Sequence, residues 1–261
     1  MRTTAVLLGG SGPLPAQLSV LQDPAAAPRP LRLSVLVPAY NEEGTILTVL
    51  SAIARQSVPG VQIETIVIDD GSKDGTRAQI ESRPDLYVTF VPLPNNRGKG
   101  GAVIAGLKAA TGDFILFQDA DLEYDPNDYA ALLMPAQRYD ADVVLGSRLL
   151  APPFTRVFYF WHRLGNKVLS LAFNIINNTT FTDIYSGYLL YRRALVNPEE
   201  LSTGGWEQQA EILTILTRRG KVLYEVPISY HGRTYAEGKK IRARHALTVL
   251  WTIVRKGLRR W

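Results

Sequence analysis

The chain has no cysteine in its 261 residues, and its only histidines are His162, His231 and His245. The absence of cysteine excludes disulfides, zinc–thiolate sites and cysteine nucleophiles. The three histidines lie far apart in the sequence, so a metal site would depend on carboxylates, which favour hard cations. We therefore expect any metal cofactor to be Mg²⁺ or Mn²⁺ held by aspartate and glutamate.

Long hydrophobic runs are also absent. No run reaches the roughly 18 apolar residues that span a bilayer. Residues 5–8 are shorter than the core of about 7–15 apolar residues that a signal peptide needs. We expect the chain to stay in the cytoplasm, either soluble or peripheral at the cytoplasmic face of a membrane.

The net charge of +5 is unevenly distributed along the chain. Residues 231–261 contain nine Lys or Arg and one acid, Glu237, so this segment carries +8 and leaves −3 for the rest. A basic end on a slightly acidic body favours a polyanionic partner, either a membrane surface or phosphates. The alternative is an ordinary solvated helix face. We expect no nucleic-acid partner.

Length and composition allow one large domain with a small appendage. Three prolines between positions 24 and 30 surround three alanines, which is typical of a linker. We predict an N-terminal appendage over residues 1–30, an α/β domain over residues 31–235, and a basic amphipathic segment over residues 236–261.

The predicted α/β domain begins with a regular alternation of strands and helices. Apolar, β-branched segments predict strands over residues 33–37, 62–68, 87–91, 114–117 and 143–145. Helical spacing predicts helices over residues 42–54, 73–82, 98–110 and 126–138. This alternation predicts a mainly parallel sheet covered by helices on both faces. Ligands of such sheets bind at the carboxyl ends of the strands.

Polar residues follow the predicted strands at those ends. Asp119 and Asp121 come directly after residues 114–117. This spacing suits a divalent cation that bridges a diphosphate, with one carboxylate on the metal and the other within reach of a sugar or ribose. The alternative is a turn with capping aspartates.

Two further segments have both a structural and a functional interpretation. Residues 69–72 suit a turn followed by a helix N-cap, but Asp70 could instead accept hydrogen bonds from a nucleobase on which Tyr40 packs. Glu42 could be a capping acid or a ribose contact. Residues 96–101 fail the P-loop pattern because no Ser or Thr follows Lys99, which we expect to lie near an anion of the ligand.

The ordered set of motifs resembles glycosyltransferase family 2. The motifs are VPAYNEE at 37–43, IDDGS at 68–72 with DGT at 74–76, NRGKG at 96–100, and DAD at 119–121. The later segments 225–234 and 237–241 are similar to polyprenyl-phosphate hexosyltransferases of the dolichyl-phosphate mannose synthase type. The resemblance covers about residues 31–245.

The resemblance implies a GT-A-type, Rossmann-like fold and an inverting, metal-dependent transfer of a hexose. The donor would be GDP-mannose or UDP-glucose, and the acceptor a dolichyl or undecaprenyl phosphate. The implied nucleotide-sugar residues are Pro38, Tyr40, Glu42, Asp70 and Asp119. The implied metal ligands are Asp119, Asp121 and Glu123, although relatives often have glutamine at the last position. The implied phosphate contacts are Arg148, Arg233 and Lys239.

The identity of the acceptor decides whether a general base is needed. A sugar hydroxyl must lose a proton, whereas a polyprenyl phosphate is already an anion and needs cations instead. If a base is required, Glu207 is the best candidate, and Asp183 is another; either could be a structural acid. We take Asp121, Arg148 and Glu207 as the candidate catalytic residues.

Three other functions remain open. The same fold could transfer a sugar to a soluble hydroxyl acceptor in glycoside or polysaccharide synthesis. The Gly-rich residues 6–12 are similar to the loop of sugar-phosphate nucleotidyltransferases, but Pro13 and Leu14 replace the expected Thr-Arg. The protein could also bind nucleotide-sugars without catalysis.

Two amphipathic segments suit a lipid. Residues 154–176 are rich in aromatic and aliphatic side chains, and residues 246–261 place apolar residues along one helical face with Arg255 and Lys256 beside it. This pattern is typical of helices that lie in a membrane interface. The alternative is a pair of helices that pack on the core and have a solvated back.

Overall fold

The computed structural model describes residues 29–150, 160–233 and 245–258. The strands are β1 (Leu31–Ala39), β2 (Val61–Asp69), β3 (Thr89–Pro92), β4 (Phe114–Phe117), β5 (Val143–Ser147), β6 (Leu189–Arg192) and β7 (Leu223–Pro227). The helices are α1 (Ile46–Ala54), α2 (Thr76–Ser82), α3 (Gly98–Ala109), α4 (Tyr129–Tyr139), α5 (Phe160–Asn177), α6 (Gln208–Arg219) and α7 (His245–Leu258). Short 3₁₀ turns occur at Pro84–Leu86, Pro126–Asp128, Arg193–Leu195 and Pro198–Glu200.

The strands form one sheet in the order β3-β2-β1-β4-β6-β5-β7. Among the described strands, β6 alone runs antiparallel to its neighbours, β4 and β5. The predicted mainly parallel α/β fold is therefore confirmed. Strands β6 and β7 lie beyond the predicted alternation, and β6 inserts between β4 and β5.

The central strand β1 is apolar along its length because both of its faces are covered. Val35 and Val37 pack in the core beneath α1 and α4, whereas Leu36 packs in the core shared by α3, α5, α6 and α7. Successive side chains of a strand point to opposite faces, so a continuous apolar run suits a strand buried on both sides.

Three helices begin later than their apolar spacing predicts. Helix α4 begins at Tyr129 instead of residue 126, after the 3₁₀ turn at Pro126–Asp128. Helix α1 begins at Ile46 and α2 at Thr76, instead of residues 42 and 73. The Asp74 carboxylate accepts hydrogen bonds from the Thr76 backbone N–H at 3.0 Å and from the Thr76 hydroxyl at 2.6 Å. These bonds fix the turn that leads into α2. The residues ahead of α1 and α2 are therefore in loops at the carboxyl edge of the sheet.

Helices α5 and α7 each have one packed face and one exposed face. Phe173 of α5 and Val249 and Ile253 of α7 are fully buried. The opposite faces expose Phe160, Trp161, Val168, Leu171, Ile175, Leu247, Trp251 and Leu258. No helix in the described ranges is long and apolar enough to cross a membrane. Both predicted amphipathic segments thus contain helices, although residues 154–159 and 259–261 lie outside the described residues.

The polar side of α7 differs from the predicted one at Lys256. Arg255 is exposed, as expected of a solvated face, but only 6% of Lys256 is accessible. The Lys256 ammonium turns inward to the carboxylate of Glu211 on α6. The row of basic residues at the end of the chain is therefore not a uniform surface feature.

Candidate active site

A cavity of about 510 Å³ opens at the carboxyl edge of the sheet. It is lined by the loops after β1, β2 and β4, by the start of α3, and by residues of α5, α6 and α7. Ten residues predicted from the sequence line it, namely Pro38, Tyr40, Glu42, Asp70, Lys99, Asp119, Asp121, Glu123, Arg148 and Arg233. Glu207 is not among the lining residues, and Lys239 lies outside the described residues.

The loops after β1 and β2 hold each other in place. The Asn41 backbone N–H donates to the Ser72 hydroxyl at 3.0 Å, and the Asn41 side-chain oxygen accepts from the Lys73 N–H at 2.9 Å. The Glu42 N–H donates to the Thr76 hydroxyl at 2.7 Å. These hydrogen bonds between the two loops fix the backbone around Tyr40 and Glu42, which line the cavity.

Asp70 links the same region to α3. Only 3% of Asp70 is exposed, and its Oδ1 accepts a hydrogen bond from the Arg97 N–H at 2.7 Å. Burial raises the pKa of Asp70 despite this bond. Gly71 has φ of +67°, and a Cβ there would lie 2.7 Å from the Asn95 carbonyl carbon, so glycine is required at this turn. A nucleobase contact of Asp70 stays a prediction.

Lys99 lines the cavity beside the Asp119–Asp121 pair. Its Nζ is 2.5 Å from Oδ1 of Asp119 and 5.2 Å from the centroid of the Trp206 ring. The Asp119 carboxylate is therefore one anion beside Lys99, and the ligand anion predicted there stays a prediction. Lys99 thereby neutralises one member of the Asp119–Asp121 pair.

A single guanidinium meets three carboxylates beside that pair. Arg233 lies 2.6 Å from Asp121, 3.5 Å from Glu123 and 3.7 Å from Glu42. Burial, together with the neighbouring Asp119 and Glu123, raises the pKa of Asp121 to about 7, even though Arg233 lowers it. The carboxylates here are therefore short of positive charge.

The donor set fits a divalent cation in part. Asp119 and Asp121 supply hard carboxylate oxygens, and Mg²⁺ is commonly held by one or two carboxylates, substrate phosphates and water. Glu123 is already engaged, because its oxygens accept from the Tyr230 hydroxyl at 2.5 Å and the Arg233 N–H at 2.8 Å. No group of three or more His, Cys, Asp or Glu in the described part of the chain is arranged as a metal site. The third ligand stays a prediction.

Arg148 is fixed by a buried ion pair. Its Nε and Nη2 donate to the two Asp183 oxygens at 2.7 Å each, and its backbone N–H donates to the same carboxylate at 3.1 Å. The guanidinium also lies 4.9 Å from the centroid of the Tyr230 ring. Asp183 is fully buried and committed to Arg148, so the structure assigns it the structural role that the sequence left open.

The segment before α6 gives the site an aromatic residue that sequence reasoning missed. Trp206 lines the cavity, whereas the adjacent Glu207 accepts a hydrogen bond from the Gly205 N–H at 3.2 Å. Tyr185 also lines the cavity, and its buried hydroxyl has no hydrogen-bond partner among the residues that the structure describes. In the sequence of this segment, Glu207 was the residue whose type suggested a catalytic role.

The sheet topology and the cavity at its carboxyl edge place the chain among α/β proteins of the kind whose ligands bind at that edge. The sequence matches the family model described as Glycosyl transferase family 2 over residues 34–197. The chain therefore belongs to glycosyl transferase family 2, and the expected enzyme class, a glycosyltransferase, is confirmed.

Curated relatives include proteins named for polyprenyl-phosphate substrates. The chain is 29% identical to a dolichol-phosphate mannosyltransferase of Pyrococcus furiosus, over 80% of this chain and 59% of the relative. It is 31% identical to the glycosyltransferase AglJ of Haloferax volcanii, over 79% and 65%. It is 28% identical to a UDP-N-acetylglucosamine–dolichyl-phosphate N-acetylglucosaminyltransferase of Methanococcus voltae, over 74% and 83%. The chain thus spans less than two thirds of the first two.

Solved structures with the same fold include glucosyl-3-phosphoglycerate synthase of Mycobacterium tuberculosis. The form with Mn²⁺, uridine diphosphate and phosphoglyceric acid has a TM-score of 0.65 and 22% identity, over 87% of this chain and 79% of that one. The form with Mg²⁺ and uridine diphosphate has a TM-score of 0.62 and 21% identity, over the same shares. This likeness confirms the GT-A-type fold.

Proposed function

We propose that the protein transfers a hexose from a nucleotide-sugar, GDP-mannose or UDP-glucose, to a dolichyl or undecaprenyl phosphate, with inversion at the anomeric carbon. The observation that carries the proposal is the continuity of the cavity. It is lined by the strand-end carboxylates and also by Trp161, Leu169 and Ile212 from the helices that border it. A charged donor and an apolar acceptor could therefore meet in one space.

The donor would lie along the strand ends. Tyr40 and Asp70 would receive the nucleoside, and Lys99 would meet the diphosphate beside Asp119. A divalent cation bound by Asp119 and Asp121 would neutralise the diphosphate and make the nucleoside diphosphate a better leaving group. The excess of carboxylates around Arg233 supports such a cation, because an unmatched cluster of buried acids is costly.

The acceptor phosphate would lie near Arg148 and Arg233. One phosphate oxygen would attack the anomeric carbon as the bond to the nucleoside diphosphate breaks, and no proton has to be removed. Because Asp183 holds Arg148 through three hydrogen bonds, that guanidinium can stabilise charge without reorganising. The role of Lys239 rests on the resemblance alone.

The exposed faces of α5 and α7 support a membrane surface as the place of reaction. Trp161 is 75% exposed and Trp251 is 64% exposed, and exposed Arg163 and Arg255 lie on the same two helices. Aromatic residues beside basic ones suit the headgroup region of an anionic leaflet. We propose the cytoplasmic face, where the basic end of the chain would meet anionic lipids.

Transfer to a soluble acceptor is the second candidate. It is favoured by the solved structures of the same fold, which are named for a glucosyl-3-phosphoglycerate synthase and were crystallised with phosphoglyceric acid. In that case the acceptor is a hydroxyl that needs a base, and Glu207 would have to turn into the cavity.

Radiolabelled sugar transfer separates the two candidates. The full chain is incubated with labelled GDP-mannose or UDP-glucose, Mn²⁺, and dolichyl or undecaprenyl phosphate in detergent. We expect label in the organic phase, and none with the matching polyprenyl alcohol. Label only in soluble products would contradict the polyprenyl acceptor. Failure of every nucleoside diphosphate to raise the melting temperature with Mn²⁺ present would contradict the donor site as well.

A further inference from the structure

A buried ion pair joins α7 to α6, away from the cavity lining. Glu211 of α6 is fully buried, and only 6% of Lys256 of α7 is exposed. The Lys256 ammonium contacts one carboxylate oxygen of Glu211 and also donates to the Ser202 hydroxyl at 3.0 Å. Charges this deeply buried are tolerated only when they are paired and hydrogen-bonded.

The same carboxylate holds the segment that leads into α6, residues 201–206, which we call the α6 loop. Glu211 accepts from the Thr203 N–H at 2.9 Å, from the Thr203 hydroxyl at 2.5 Å, and from the Ser202 N–H at 3.2 Å. Both carboxylate oxygens of Glu211 therefore accept hydrogen bonds from the α6 loop. The position of the loop depends on this buried carboxylate and on the Lys256 ammonium that pairs with it.

The α6 loop rests directly on the start of α3. The Gly100 N–H donates to the Gly204 carbonyl at 2.9 Å, and the Gln208 side-chain amide donates to the Gly100 carbonyl at 2.9 Å. A Cβ on Gly98 would lie 2.6 Å from the Gly204 oxygen, and a Cβ on Gly100 would lie 2.6 Å from the Gly204 carbonyl carbon. With backbone against backbone, a shift of the loop must move the start of α3.

Lys99 lies between these two glycines. Its ammonium contacts Asp119 at 2.5 Å and lies 5.2 Å from the ring centroid of Trp206, at the end of the α6 loop. Lys99 and Trp206 both line the cavity, whereas Lys256 and Glu211 do not. The buried pair is therefore connected to Lys99 and Trp206 through the α6 loop and the start of α3.

We propose that Lys256 and Glu211 are positioning residues that fix Lys99 and Trp206 for the donor diphosphate. The inference rests on the proposed function, because it concerns the same donor site. Loss of the ammonium leaves a buried carboxylate without its counter-charge, so the α6 loop must open to let water reach Glu211. The support for α3 at Gly100 is then lost, and the Lys99 ammonium no longer has a fixed place.

The test measures donor affinity separately from stability. Binding of UDP and of GDP, each with Mn²⁺, is measured by calorimetry for the full chain and for Lys256→Met, Lys256→Arg and Glu211→Gln, well below each melting temperature. Arg192→Met is the control, because Arg192 also pairs with carboxylates, Asp142 at 2.8 Å and Asp140, but at the amino-terminal edge of the sheet.

We expect Lys256→Met and Glu211→Gln to weaken the binding of the nucleoside diphosphate about tenfold, the order of coupling that residues outside a site transmit. Lys256→Arg should retain affinity within about threefold, and Arg192→Met should lower the melting temperature with affinity unchanged. Should Lys256→Met not fold, the double variant Glu211→Leu with Lys256→Met removes both charges and should show the same loss of affinity.

Two results would overturn the inference. One is wild-type affinity in the folded variants of the pair, and the other is an equal loss of affinity in the Arg192→Met control. A wild-type protein that binds neither nucleotide is a different outcome, because it removes the proposed function and the inference with it.

Discussion

The carboxylates of the cavity and those of the amino-terminal edge have opposite pKa shifts. At the amino-terminal edge, Glu64, Asp113 and Asp142 have lowered pKa values, whereas Asp70 and Asp121, which line the cavity at the carboxyl edge, have raised ones. The residue types are the same, and both groups belong to or adjoin strands. The difference therefore comes from what surrounds each carboxylate.

Hydrogen-bond donors account for the amino-terminal edge. Burial alone would raise the pKa of Glu64, but bonds from Ser34, Thr111 and Gly112 lower it. Asp142 likewise accepts from the Lys221 N–H at 2.7 Å and from Arg192. These acids are satisfied by donors within the fold, whereas we propose that a ligand cation balances those around Arg233. The surroundings thus separate structural acids from those we propose as functional.

Removal of a charge at the carboxyl edge should produce the largest change. We expect Asp121→Asn to lower turnover by about 10²–10³-fold, because it removes a proposed ligand of the cation that would neutralise the diphosphate. The melting temperature should stay the same or rise, since one of three crowded carboxylates is gone. Label transfer and thermal unfolding measure the two effects, and a large loss of stability would contradict the contrast between the edges.

The matching change at the amino-terminal edge should act on stability alone. Glu64→Gln removes a charged acceptor from at least three donors, so we expect a loss of about 2 kcal/mol in the free energy of unfolding. The affinity for UDP or GDP with Mn²⁺ should be unchanged. Urea unfolding and calorimetry provide the two measurements, and weaker nucleotide binding would show that the edges are coupled.

Acidification of the wild-type protein should remove the contribution of Glu64 to the free energy of unfolding. The pKa of Glu64 in the folded protein is below the 4.5 of a free glutamate, so its stabilisation is complete above pH 4.5 and is lost as the pH falls through the folded pKa. The free energy of unfolding should therefore fall below pH 4.5 less steeply in Glu64→Gln than in the wild type. Equal slopes between pH 3 and 6 would contradict this.

The smallest effect concerns backbone strain between the site carboxylates. Leu122 has φ of +63°, which is unfavourable for a bulky side chain, and it is 43% exposed. We expect Leu122→Asn, which tolerates this conformation better, to stabilise the fold by roughly 0.5 kcal/mol. A loss of stability in urea unfolding would indicate that the leucine side chain makes contacts that outweigh its strain.

Sequence periodicity predicts much of the sheet and the site residues that follow its strands. The apolar run of β1 and the strand ends at Asp70 and Asp119 could be predicted because their signals are local. Strand β6 could not, since a four-residue segment has no pattern that reveals where in the sheet it inserts. Trp206 reaches the cavity only through tertiary packing. The spacing of Val249, Ile253 and Lys256 places all three on one face of α7, but the pairing of Lys256 with Glu211 comes from tertiary packing.

The contact between α3 and the α6 loop also has an evolutionary consequence. Gly98 and Gly100 leave no room for a side chain against the Gly204 backbone, whereas a Cβ on Gly44 would meet no atom within 4 Å. Among homologous chains, positions 98 and 100 should resist substitution and should change only together with the length or path of the loop. Position 44 should drift freely, so the variation of these three glycines across the family would record which of them the architecture needs.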